Sequence, residues 1–173
     1  MNRRRFLLTS GATVAGVTLA LGYRQRTVEI PTIAATLTQL ESLRSRKAES
    51  RTTWSPAQVF THLAQSVEYS LTGYPINKPA LFQHTAGRAA FEAFALVGSM
   101  HHKLTEPIPG APALVETDDV DAALRRLCTA LRDFDAHAGA LAPHFAFGAL
   151  DHAEFAQAHV LHIRDHLEEM AFA

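Results

Sequence analysis

Along the chain, apolar side chains recur at intervals of three and four in four separate stretches, the spacing that gathers them on one face of a helix. The first stretch predicts a helix over residues 33–46, with Ile33, Leu37, Leu40 and Leu43 on one side. It ends in the basic run Arg44-Ser45-Arg46-Lys47, which suits a helix C-terminus. The second has the sharpest start: Ser55 can cap, Pro56 fits the first helical position and Gln58 completes a capping box. Its inner stripe reads Val59, His62, Leu63, Ser66, Tyr69 and Ser70, and it stops near Gly73-Tyr74-Pro75. The third covers residues 119–139, with Val120, Leu124, Leu127, Leu131 and Phe134 inward and Cys128 beside them as a small core residue. The fourth starts at Asp151, paired with Glu154 as a cap, and carries the stripe Phe155, His159, His162, His166 and Met170.

Between the second and third stretches lies a long connection, from Pro75 to about Thr117. It holds one helical piece, residues 87–102, and the proline-rich loop PIPGAP. A segment of this length inside a compact domain usually covers something. No run alternates apolar and polar residues long enough to demand a sheet, and no repeat is visible. The expected fold class is therefore all-α: a four-helix bundle with a long crossover between helices two and three.

The fourth stripe changes the picture, because three of its members are histidines bounded by apolar residues at both ends. They are expected to face inward, where an unpartnered imidazole is costly. His162 and His166 lie one turn apart, so both rings can reach one ion, and His62, mid-stripe on the second helix, is the candidate third ligand. Three imidazoles without a thiolate favour a divalent ion, zinc first and nickel second, and leave a coordination position for water or substrate. A histidine pair at this spacing also arises by chance in a chain with 10 histidines, so packing without metal stays open. His159 and Ser66 fall beside these positions as cavity-lining or supporting groups.

Composition narrows the rest. With 173 residues, 47% hydrophobic and 19% charged, the chain suits one domain with a single core. A formal charge of −1 gives no reason to expect a nucleic acid. The lone Cys128 excludes an internal disulfide and a cysteine-rich zinc site. The N-terminus has its own pattern: Arg3, Arg4 and Arg5, then an apolar run from Phe6 to Leu21 diluted by Thr9, Ser10, Gly11 and Gly16. This is the layout of an export signal. RRRFLL resembles the twin-arginine motif, which implies recognition by the twin-arginine export machinery and transfer of a folded protein. The expected organisation is a signal over residues 1–22, a linker over 23–30 and the helical domain over 31–173. The expected location is the periplasm, or the inner membrane facing it. No Ala-x-Ala is present, so cleavage stays open. Without residues 1–22, which hold three of the 16 basic residues and none of the 17 acidic ones, 13 basic residues face 17 acidic. A mildly acidic domain of this kind argues against an anionic polymer or membrane surface as ligand.

WSPAQVFTHLAQSVEYSLTGYP, the PIPGAP loop and HIRDHLEEM together resemble a DinB-like domain, a four-helix superfamily, over most of the chain after residue 30. The resemblance implies three histidines around a divalent metal, falling here on His62, His162 and His166. It departs in having Asp165 where many relatives carry a fourth histidine, and Glu168-Glu169 where a glutamine is usual. The implied chemistry is a small-thiol-dependent transferase, favoured over a hydrolase because no carboxylate can be assigned as general base. Its partner would be a small-molecule substrate, including a low-molecular-weight thiol, and a homodimer is compatible with these features. A non-catalytic periplasmic metal-binding or structural module, or an interaction protein with packed histidines, are the competing readings. His84, His101, His102, His137, His144 and His152 fall in loops or near helix ends, where solvent exposure is expected, although His101-His102 could lean over the site.

Overall fold

A computed structural model describes residues 29–117 and 119–173; the signal expected over residues 1–22 lies outside them. The described chain is mostly helical, as the periodicity predicts. Helix α1 covers Ile33–Ser42, α2 covers Pro56–Thr72, α4 covers Val120–Asp135 and α5 covers His152–Glu168. In the crossover, α3 runs over residues 80–97, beginning as Ala80–Phe82, widening into a π-helical turn at Gln83–Gly87 and continuing as Arg88–Val97. None of these helices is long and apolar enough to cross a membrane.

Both capping boxes read from the sequence are formed. Ser55 and Gln58 exchange side-chain and backbone bonds at the start of α2, and Asp151 and Glu154 do the same at α5. These bonds satisfy amides that a helix start leaves without partners. The core forms where the stripes predicted it. Leu63, Leu127, Leu131, Phe134 and Phe155 are sealed from solvent, Cys128 is buried beside them, and Phe60, which the predicted stripe left out, is sealed with them. The most extensive helix contact is α2 on α4, with α5 against α2, α1 and α3.

Four expectations are corrected. Helix α1 ends at Ser42 instead of Arg46, because the chain beyond it turns into a strand, β1, at Ala48–Ser50. Met170 does not extend the last helix: it opens a second strand, β2, at Met170–Phe172, paired antiparallel with β1. The third predicted helix stops at Asp135, four residues before Gly139. The crossover helix lies earlier than residues 87–102, since the left-handed Gly98 at φ 68° ends it.

The small sheet matters for the site. β1 immediately precedes α2 and β2 immediately follows α5, with Ser50 opposite Met170. Arg51 N–H donates to the Glu169 carbonyl at 2.9 Å, which brings the start of α2 beside the C-terminal turn of α5.

Candidate metal centre

Helix α2 presents His62, and α5 presents His162 and His166 one turn apart. The structure brings all three together. The His162 and His166 Nε2 atoms are 3.2 Å apart, and the His62 ring centroid lies 5.2 Å from each of theirs. A fourth imidazole joins them. His102, on the irregular segment after α3, packs 4.8 Å from His162 and 5.1 Å from His166. One ring nitrogen from each of His62, His102, His162 and His166 lies within 4.8 Å of the other three.

Trp54 closes one side. Its ring is 5.0 Å from His62 and parallel to His166 at 6.5 Å. On the other side Asp165, which shares the last turn of α5 with the pair, points away from the cluster into the crossover. Its two carboxylate oxygens meet His101 Nδ1 at 3.2 Å and His102 Nδ1 at 2.8 Å. The second contact holds the His102 ring with Nε2 left for the cluster, the arrangement in which a carboxylate orients a metal-ligating histidine.

The electrostatics keep the three helix-borne rings neutral. Burial, reinforced by the His102 charge, pushes His62 down to about 4, and burial with the charges of His62 and His102 pushes His166 to about 3. Burial, followed by neighbouring histidines, holds His162 well below the usual histidine range. At neutral pH His62, His162 and His166 are therefore in the deprotonated form that a cation requires. His62 supplies the test of fit. It is 3% exposed, and both of its ring nitrogens are buried without a hydrogen-bond partner. A neutral imidazole has a donor and an acceptor to satisfy, and none of the neighbouring rings bonds to either nitrogen of His62. The four donors therefore fit a shared divalent ion.

A cavity of about 260 Å³ opens beside the cluster, with His62, His102 and His162 on its wall. Ser66 and His159 also line it, the positions the sequence suggested as supporting groups. His159 stands apart from the four clustered rings; its Nε2 lies 3.2 Å from Ser70 Oγ, and Phe134 and Phe155 flank it. His144 departs from the expected solvent exposure, because it is only 8% exposed and packs among Tyr74, Phe145 and Phe147. His102 was visible in the sequence only as part of a histidine pair in a long crossover. Its partnership with Asp165, 63 residues away, leaves no local signal.

The chain belongs to the family described as protein of unknown function (DUF1569), whose profile matches residues 22–172. No curated protein and no solved structure matches it significantly.

Proposed function

We propose that this DUF1569 protein is an exported, divalent-metal-dependent protein of the DinB-like four-helix type, with zinc as the favoured ion and small-thiol transfer as the favoured reaction. The observation that carries the metal reading is the buried, unpartnered His62 at the convergence of four imidazoles. His62, His102, His162 and His166 would hold the ion. When bound, a divalent ion supplies Lewis-acid activation of a thiol or a carbonyl. The remaining work falls to the chain. Burial keeps His62, His162 and His166 deprotonated, Asp165 orients His102, Trp54 excludes water, and the cavity delivers a small molecule to the His62, His102 and His162 side. A hydrolase would need a carboxylate beside the cluster; Asp165 is engaged on the far side of His102, and Glu106, on the cavity lining, stands outside the four-ring group. A thiol substrate brings its own nucleophile.

One observation favours a second reading. Four protein imidazoles would complete a tetrahedral shell, the mark of a closed structural site. Cobalt substitution separates the two. Adding a low-molecular-weight thiol to the cobalt-loaded protein produces a thiolate-to-cobalt charge-transfer band if the centre accepts a guest, and leaves the spectrum unchanged if the shell is closed. Failure to retain one equivalent of zinc or cobalt would sink both.

Export rests on the three arginines and apolar run before the domain, and on a family match that begins at residue 22. Converting Arg3 and Arg4 together to lysine is expected to hold the protein in the cytoplasm of a twin-arginine-competent bacterium. Unchanged fractionation would refute this route.

A further inference from the structure

The far wall of the cavity is built by the loop between α4 and α5, and that loop is tied down from every direction. His144 and Gly148 exchange backbone bonds of 2.8 and 3.0 Å. Gln83 Nε2 donates to the carbonyls of His144 and Phe145 at 3.3 and 3.1 Å, and Lys78 N–H donates to Phe145 at 2.8 Å. Gly87, in the π-helical turn, sits so close to the loop that a Cβ there would meet the Ala146 carbonyl oxygen at 1.9 Å.

Within this frame the His144 ring is fixed. It stacks on Phe147 at 4.2 Å and meets the edge of Tyr74 at 5.1 Å. Its Nδ1 lies 3.1 Å from the backbone nitrogens of both Ala146 and Phe147. A nitrogen that accepts two N–H groups carries no proton, so the proton of the neutral ring is on Nε2. Among the described residues Nε2 has no hydrogen-bond partner, and the ring lines the cavity. The rest of the lining is largely apolar, including Phe94, Met100, Ile108 and Phe147, with Lys78 and Glu106 as one charge of each sign. The Nε2–H is thus a donor without a protein partner at the cavity wall, and its tautomer is set before any ligand binds.

We propose that His144 is a specificity-determining residue, whose Nε2–H donates to a carboxylate or carbonyl oxygen of a compact, apolar-bodied substrate. The placement of that substrate's reacting end at the imidazole cluster rests on the metal-centre reading; the donor role of His144 does not.

Phenylacetate, phenylacetamide and ethylbenzene share a body and differ only in the acceptor, so their binding to the full chain tests the proposal by calorimetry or ligand-observed NMR. Wild type is expected to bind the acid and the amide about tenfold more tightly than the hydrocarbon, which is the effect of one well-placed hydrogen bond. His144→Asn keeps an acceptor oxygen near the Nδ1 position and removes the Nε2 donor. It is expected to bind all three alike, with ethylbenzene unaffected. Equal binding of the three by wild type, or a preference that survives in a folded variant, overturns the proposal. If the variant does not fold, histidine nitrogen spectra of wild type decide. A proton on Nδ1, or an Nε2 signal unmoved by phenylacetate, overturns it. Running each titration with zinc and with chelator keeps the two ideas separate. An acceptor preference without zinc binding removes the metal centre alone, and zinc binding without a preference removes the His144 role alone.

Discussion

Replacing His62 by leucine should reverse its effect on stability according to whether metal is available. In wild-type protein without metal, both His62 nitrogens are buried and unpartnered. Leaving such a group unsatisfied costs about 1–3 kcal/mol, and an apolar replacement of similar size can remove that cost. His62→Leu is therefore expected to stabilise the protein in chelator by about 2 kcal/mol. With zinc free at about a thousand times its dissociation constant, wild type gains about 4 kcal/mol from mass action. A variant that no longer binds at that concentration forfeits this gain and ends about 2 kcal/mol less stable than wild type.

Urea unfolding gives both numbers. Trp54, the sole tryptophan of the chain, packs 5.0 Å from the substituted ring, so its fluorescence reports the transition locally, and far-ultraviolet circular dichroism reports it globally. The argument depends on the change of sign. An identical stability difference in both buffers would mean that His62 packs and does not ligate. A variant destabilised in chelator would mean that its nitrogens are not orphaned.

Three further expectations follow from the same geometry. Asp165→Asn removes the charge that orients His102 and should weaken zinc binding roughly 10- to 100-fold, measured by competition with a chromophoric chelator; unchanged affinity would leave Asp165 with no role in the centre. Burial pushes His144 and His159 to about 3, so between pH 6.5 and that value the unfolded chain takes up protons that the folded chain refuses. Stability is thus fully present above pH 6.5 and falls below it, by about 2 kcal/mol for each ring between pH 6.5 and 5; urea unfolding across this range tests it, and a flat profile would place both rings in contact with water. Gly87→Ala sets a Cβ against the Ala146 carbonyl and should cost about 1–3 kcal/mol as an overpacked contact, with faster amide exchange in residues 144–148; an unperturbed loop would show that the close approach is relieved without cost.

What could be read from residues alone was whatever local rules decide. Ser55-Pro56-Ala57-Gln58 and Asp151 with Glu154 start their helices in the sequence as in the structure, because a capping box closes within four residues. His62, His162 and His166 could be placed on inward faces because stripes of Leu and Phe flank them. The misread positions are those where distant partners decide. Strands β1 and β2 have three residues each, too few for alternation to register, and each exists because the other is there to pair with. Arg46, expected to finish a helix, instead donates to the Phe172 carbonyl at 2.5 Å. His102 and His144 look alike in sequence, as histidines in irregular chain. Asp165 holds one at the cluster, and an aromatic nest with two backbone amides buries the other.

The arrangement has a consequence for how the site is maintained. Its four imidazoles come from three places in the chain, and each is positioned by a different device. The capping box sets the register of α2 and so His62, the helical turn sets His162 against His166, and a single carboxylate sets His102. The β1–β2 pairing then fixes α2 and α5 to each other at the end of the molecule where the rings meet. Two of these devices are regular backbone structure and the third is a helix cap closed within four residues. The hold on His102 is one ion-pair-like contact to a ring that remains 29% exposed in its side chain. The mobile member of the set should accordingly be His102, which also lines the cavity. A centre built this way is rigid on the helix side and adjustable where a small molecule approaches. Hydrogen exchange and side-chain relaxation that found His102 as ordered as His62 would favour the closed, structural reading over the catalytic one.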